Sequence, residues 1–241
     1  GLVGESGCGK TMTALSVLGL LPAGVGITHG SIYWQGQDIA AWSESKLNQI
    51  RGSGIAYISQ EPMVALDPMF TVQYQLVEPL RRLRKLSKSQ AKQVAFELLE
   101  KVGIPVPSRV LKSYPHQLSG GMAQRVAIAL ALTGQPKLLI ADEPTTALDV
   151  TIQAEILELL RSLVAKENMA MVIVTHNLGV VADIADNVAV MYAGRIVEQG
   201  DHPGHRRQDQ GFHPGPLLGP QATEQVGDAI ANHSLTTIWQ L

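Results

Sequence analysis

The chain opens on Leu2-Val3 and turns at once into Gly4-Glu5-Ser6-Gly7-Cys8-Gly9-Lys10-Thr11, which matches G-x-x-x-x-G-K-[ST] at every fixed position. No other stretch restricts the possible folds as strongly. A run of this kind works only between a strand and a helix, because its task is to bring backbone amides close to a dense anion. Glycines at 4, 7 and 9 remove the β-carbons that would block that approach. The following helix points its N-terminal dipole at the same place. Lys10 adds a point charge, and the Thr11 hydroxyl is an oxygen ligand suited to Mg²⁺. The reading is a site for the phosphates of a nucleoside triphosphate, formed by Gly4, Glu5, Ser6, Gly7, Cys8, Gly9, Lys10 and Thr11. Cys8 reads as a small residue that fits the loop rather than as a redox group.

The remainder alternates strand and helix patterns, which predicts an α/β fold with parallel strands. Strands are expected at Leu2-Val3, over 31–39 with a turn at Gly36, over 55–59, 138–141 and 171–175, and as a hairpin of 187–192 and 195–199 turning at Ala193-Gly194. Helices are expected over 11–21, from Ser87 with a capping-box spacing to Gln90, over 121–133, and along the stripe Ile152, Ile156, Leu159, Leu163. After Gly200 the chain becomes rich in Pro, Gly, His and Gln without apolar period, and an irregular tail is expected, with a short helix within 226–241. The spacing of His202, His205 and His213 is too irregular to suggest a metal site.

Nineteen basic against twenty-one acidic side chains give a net charge of -2, so no electrostatic field favours nucleic acid. One cysteine excludes a disulfide framework or an iron–sulfur cluster. No apolar run reaches the roughly 18 residues of a membrane span. The first residue is Gly1, directly before a strand, and the chain reads as an N-terminally truncated fragment.

The run Leu138-Leu139-Ile140-Ala141-Asp142-Glu143 is an apolar strand that ends on two acids. Buried parallel strands deliver such residues to the carboxyl edge of a sheet, where ligands bind. Asp142 is placed to hold Mg²⁺ and Glu143 to polarise an attacking water.

A further motif, Leu118-Ser119-Gly120-Gly121-Met122-Ala123-Gln124-Arg125, puts a hydroxyl and two glycines at a helix start, a second anion site. With the phosphate loop and the acid-ended strand, it resembles the ATPase subunits of ABC transporters. The resemblance covers Gly1 to about Gly200. It implies a P-loop NTPase parallel-sheet core over 1–60 and 136–200, an inserted α-helical, signature-bearing subdomain over 61–135, and a small antiparallel β part, with the irregular tail over 201–241. It implies that Gln60 is the Q-loop ligand of Mg²⁺ beside Thr11 and Asp142, that Asp149 lies in the D-loop, and that His176 is the switch histidine. Catalysis would then rest on Glu143, His176 and Gln60. Ser119, Gly120, Gly121 and Asp149 would close over the ATP of a second ATPase subunit in a head-to-tail homo- or heterodimer. The implied partners are integral membrane permease subunits and, through them, a solute-binding protein. The implied location is the cytoplasmic face of the plasma membrane.

The stretches Gln60-Glu61-Pro62-Met63, Leu66-Asp67-Pro68, Tyr114-Pro115-His116-Gln117-Leu118 and Ala147-Leu148-Asp149-Val150-Thr151 are similar to importers of dipeptides, oligopeptides or nickel. Family members carry an adenine-stacking aromatic residue ahead of the phosphate loop, in a region this sequence lacks. A base–aromatic stack is worth roughly 1–3 kcal/mol, so ATP affinity is expected to fall roughly 5- to 150-fold without it. Two other readings carry their own discriminators. A soluble ABC ATPase acting on nucleic acid or ribosomes calls for a coiled-coil insertion or a second ATPase half, and a non-catalytic, weakly binding fragment calls for absent ATP turnover.

Overall fold

The computed structural model describes residues 1–146 and 148–201, together with the backbone of 239–240. In chain order the elements are β1 (Leu2–Gly4), α1 (Lys10–Val17), β2 (Ile32–Trp34), β3 (Gln37–Asp38), α2 (Glu44–Ile50), β4 (Ile55–Ile58), α3 (Pro62–Ala65), α4 (Val72–Arg84), α5 (Lys88–Lys101), α6 (Pro107–Val110), α7 (Gly120–Ala131), β5 (Leu138–Asp142), α8 (Val150–Glu167), β6 (Ala170–Thr175), α9 (Leu178–Ile184), β7 (Asn187–Tyr192), β8 (Arg195–Asp201) and β9 (Trp239–Gln240). The main sheet has the order β4-β5-β6-β1-β7-β8. All its neighbours are parallel except the β7–β8 hairpin. A small second sheet runs β3-β2-β9, with β2 and β3 antiparallel.

Strand β5 sits between β4 and β6, and all its residues are buried, as a two-sided parallel strand requires. Its side chains alternate between two cores. Leu138 and Ile140 join Ile55, Val174, Ala14 and Leu18 on the side covered by α1. Leu139 joins Ala56 and Ile58 on the side covered by α4, α5, α7 and α8. That alternation decides where the end of β5 points: Asp142 shares the face of Leu138 and Ile140, toward α1.

The helices start where side chains cap them. Ser87 Oγ accepts from the Gln90 amide at 3.3 Å while the Ser87 amide donates to Gln90 Oε1 at 3.0 Å, the reciprocal pair expected from the spacing. Ala91, Ala95, Leu98 and Leu99 of α5 are buried, and Gly103 at φ 74° follows its last turn. Arg125 ties the helices together, donating to the Val102 carbonyl and to Glu155 Oε2, each at 2.8 Å.

Several boundaries differ from expectation. Helix α1 stops at Val17 rather than Leu21, because Gly19 takes φ 63° and the Leu20 amide returns to the Leu15 carbonyl at 2.9 Å. The stretch 31–39 keeps its expected β character and turn at Gly36, as the tight hairpin of β2 and β3 with Gln35 and Gly36 both at positive φ. Helices α2 and α9, of seven residues each, were not anticipated. At the tail, Asp201 still belongs to β8 rather than to an irregular segment. Trp239–Gln240 runs extended beside Ile32 and Tyr33, and the rest of 226–241, where a short helix was expected, lies outside the described residues. The rest of the tail, with His202, His205 and His213, lies outside the described residues.

Candidate nucleotide site

The loop between β1 and α1 is shaped by close approach. A β-carbon on Gly4 would stand 2.2 Å from the Met191 carbonyl oxygen and 2.8 Å from Cys8 Sγ. Gly7 and Gly9 take φ 81° and 108°, and Gly9 leads directly into α1. The turn after β7 holds the loop from behind, where the Gly194 amide donates to the Cys8 carbonyl at 2.9 Å. Lys10 is buried at 5% exposure, and its ammonium donates to the Gly4 and Glu5 carbonyls, each at 2.8 Å. Its Nζ lies 3.9 Å from Cys8 Sγ, and the thiol is buried in the loop. Glu5, Ser6, Gly7 and Thr11 are exposed on the outer side.

At the end of β5, Asp142 is 1% exposed. Its Oδ2 accepts from Tyr57 Oη at 2.9 Å. Its Oδ1 is buried with no hydrogen-bond partner among the described residues. Burial, then the Asp142 hydrogen bond and charge, push the Tyr57 phenol pKa upward, so Tyr57 is the donor. A buried carboxylate oxygen without a donor, on the face toward α1, is a fitting ligand for a hard cation. Asp142 and the Thr11 hydroxyl supply the oxygen chemistry such an ion takes.

Glu143 follows at φ 46°, with its amide donating to the Val174 carbonyl at 2.8 Å. The strained backbone turns its side chain into a cluster. Thr146 Oγ1 donates to Oε2 at 2.7 Å, Gln60 Nε2 donates to the same oxygen at 3.2 Å, and His176 Nδ1 lies 3.1 Å from Oε1. Burial alone raises the Glu143 pKa. Donation from Thr146 and His176, with the charges of His176 and Lys10, outweighs it and leaves the carboxyl below its usual value. Glu143 is therefore a carboxylate at neutral pH. His176 stands at the end of β6 with its side chain 52% exposed. Asn177 beside it caps α9 by accepting from the Gly179 amide at 2.9 Å.

The helix tips carry a different geometry. Ser119 Oγ accepts from the Met122 amide at 3.3 Å, and Asp149 Oδ1 accepts from the Ile152 amide at 3.0 Å. Each caps its own helix, α7 and α8, and Ser119, Gly120 and Asp149 are exposed. A β-carbon on Gly121 would meet Ile152 Cγ2 at 3.0 Å, so that glycine also sets how closely α7 approaches α8.

The fold thus brings Gln60, Glu143 and His176 into direct contact from three segments far apart in sequence, within electrostatic reach of Lys10. Among the described residues, no hydrogen bond joins Ser119, Gly120, Gly121 or Asp149 to that group. Gln60, expected to serve the metal with Asp142, is hydrogen-bonded to Glu143 through its amide nitrogen. Two participants escaped sequence reasoning: Thr146 and Tyr57. A tyrosine within a buried strand carries a signal, since its hydroxyl needs a partner.

A comparison with protein families decides what kind of chain this is: the ABC transporter family profile matches residues 1–146. The chain belongs to the ABC transporter family. It is 52% identical over 200 residues to the dipeptide transport ATP-binding protein DppD of Bacillus subtilis, covering 83% of this chain and 60% of that protein. The oligopeptide transport ATP-binding protein OppD of the same organism is 52% identical over 200 residues, with 83% and 56% covered. DppD of Escherichia coli is 50% identical over 201 residues, with 83% and 62% covered. The chain spans about 60% of the length of these ABC relatives. Among solved structures, the ATP-binding cassette MJ0796, a dimer bound to ADP and Pi, superposes with a TM-score of 0.74 at 27% identity, covering 88% of this chain and 85% of that one. CbiO1 of Clostridium perfringens, part of an ABC transporter complex, gives 0.70 at 29% identity, with 83% and 76% covered. Among the described residues, no helix is long and apolar enough to cross a membrane.

Proposed function

We propose that this ABC chain binds and hydrolyses ATP as the energy-coupling subunit of an importer for peptides or a related solute. The carrying observation is the convergence on Glu143: an ionised carboxylate held by Gln60, Thr146 and His176 at the sheet edge, beside a lysine-bearing phosphate loop. The reaction is attack of water on the γ-phosphate, and positioning with charge neutralisation does most of the work. The loop amides of Gly4 to Lys10 hold the β- and γ-phosphates, and Lys10 leaves the Gly4 and Glu5 carbonyls to pair with them. Thr11, Asp142 and Gln60 would hold Mg²⁺, which when bound neutralises phosphate charge. Glu143 polarises the water, and His176 contacts the γ-phosphate.

A second subunit completes the site, with its Ser119, Gly120 and Gly121 covering the nucleotide and its Asp149 at the seam. Residues 61–135 form the subdomain that meets the membrane permease subunits at the cytoplasmic face of the membrane, with a solute-binding protein acting beyond them. The peptide assignment rests on identity of half or more to proteins named for dipeptide and oligopeptide transport.

The test is complementation. Lys10→Ala and Ser119→Arg should each abolish phosphate release from ATP. Mixed together, they should regain turnover, because a mixed dimer contains one site with both native surfaces. Two inactive variants that stay inactive after mixing would remove the shared-site reading, and turnover in Lys10→Ala alone would remove the loop from catalysis.

A further inference from the structure

The pair Tyr57–Asp142 has a geometry that the proposed reaction does not use. In the main sheet Tyr57 pairs with Ile140, and Asp142 lies two residues further along β5 on the same face. The tyrosine therefore reaches diagonally along the sheet toward the carboxylate at the end of the neighbouring strand. Its ring is partly buried and packs against the α1-side core. A phenylalanine would supply that packing without bringing a hydroxyl out of water, so the polar atom needs a reason. Its partner is Asp142 Oδ2, at 2.9 Å.

The consequence lies on the other oxygen. Asp142 is buried, and its two oxygens are unlike: one is occupied by the phenol, the other has no donor among the described residues. A buried acceptor left open costs free energy unless something else fills it. A carboxylate free to rotate could present either oxygen to a cation, and the hydrogen bond to Tyr57 removes that freedom. Partners of this kind orient metal-binding side chains.

We propose that Tyr57 is a positioning residue for the metal: its hydroxyl fixes Asp142 by one oxygen, so that Oδ1 is the oxygen offered to Mg²⁺. The inference rests on the reading of Asp142 as a metal ligand.

The experiment uses Mn²⁺ as the probe. Binding is followed by the electron paramagnetic resonance signal of free Mn²⁺, with the chain saturated by a non-hydrolysable ATP analogue. Three proteins are compared: the parent, Tyr57→Phe and Asp142→Asn. Tyr57→Phe should weaken Mn²⁺ binding by about 10- to 100-fold, the usual effect of removing such a partner. Its affinity for the analogue in EDTA should match the parent. In turnover, the Mg²⁺ concentration at half-maximal rate should rise in parallel, and kcat should recover at saturating Mg²⁺, a split that a packing defect would not produce. A second readout, the rise in unfolding temperature with Mn²⁺ at saturating analogue, should be displaced to higher Mn²⁺ concentration by the same factor. If Asp142→Asn loses Mn²⁺ and Tyr57→Phe binds it within about twofold of the parent, the positioning role is overturned while the metal reading of Asp142 survives. If neither variant changes Mn²⁺ binding, Asp142 is not a ligand, and the role of Tyr57 falls with it.

Discussion

Replacing Glu143 by glutamine isolates the step on which the proposed chemistry depends. The side chains have the same shape, and the backbone at φ 46° is equally available to both. Three groups now point at the carboxylate, at 2.7, 3.1 and 3.2 Å. The amide oxygen of glutamine can keep accepting from Thr146 and Gln60, and the Thr146 hydroxyl can rotate to suit. The pocket should therefore persist. What disappears is a full negative charge able to draw a proton from water. General-base assistance contributes about 10²- to 10⁴-fold, which is about 3–5 kcal/mol in the barrier. Removing a negative charge near Lys10 also lowers repulsion of the triphosphate, so nucleotide affinity should stay level or tighten. The assay pairs phosphate release under single-turnover conditions with equilibrium binding of a fluorescent ATP analogue. A hydrolysis rate within threefold of the parent would refute the assignment of Glu143. So would a rate loss matched by an equal loss of binding.

Gly4→Ala should destabilise the fold, because its β-carbon would lie 2.2 Å from a backbone oxygen of β7 that cannot simply rotate away. Overpacking of this severity costs about 3 kcal/mol, so thermal denaturation should show a melting temperature lowered by roughly 6–12 °C; an unchanged midpoint would contradict the tight β1–β7 approach. The acid dependence of stability should also reveal Glu143. Its pKa is lowered by folding, so its contribution is complete above the unfolded-state value and is lost as pH falls through the lower folded-state value. The difference in melting temperature between parent and Glu143→Gln should shift against the parent as pH falls below about pH 4.3. A difference that changes only near neutrality would belong to another group.

Local features of this chain were legible because their causes are local. The phosphate loop, the capping box of Ser87 and Gln90, and the hairpin at Ala193-Gly194 are each fixed by residues within a few positions of one another. The buried run Leu138 to Ala141 was legible for a related reason, since apolar residues without alternation demand cover on both faces. Tyr57 and Asp142 stand 85 positions apart and meet only because the β4–β5 register puts them on one face. No pattern in either segment announces that register. The bond from Gln60 to Glu143 spans 83 positions, and although resemblance had singled out both residues, it had paired Gln60 with the metal. Thr146 stands three residues from Glu143, yet its role depends on the positive φ that folds the chain back after β5. Helices α2 and α9 are too short for a periodic stripe to stand out.

The signature glycines separate what the chain needs for itself from what it offers outward. At Gly121 the chain's own packing explains the residue: a β-carbon would press on Ile152 at 3.0 Å and force α7 from α8. At Gly120 it does not. A β-carbon there would rest 3.5 Å from Leu148 Cδ2, an ordinary contact, and the position lies in the first turn of α7, where alanine is a better helix former by up to about 1 kcal/mol. Left to the single chain, Gly120→Ala should be neutral or stabilising. A glycine kept at an exposed helix tip, beside a serine and at some cost in stability, fits a backbone that something must approach closely. In the proposed arrangement that is the nucleotide of a second subunit. Gly120→Ala should accordingly melt at or above the parent temperature yet hydrolyse ATP more slowly. The loss should fall on turnover by the dimer, while nucleotide binding to the isolated phosphate loop at low protein concentration stays unchanged. Full turnover in Gly120→Ala would mean that nothing approaches this tip, and the shared-site arrangement would lose its support from the signature helix.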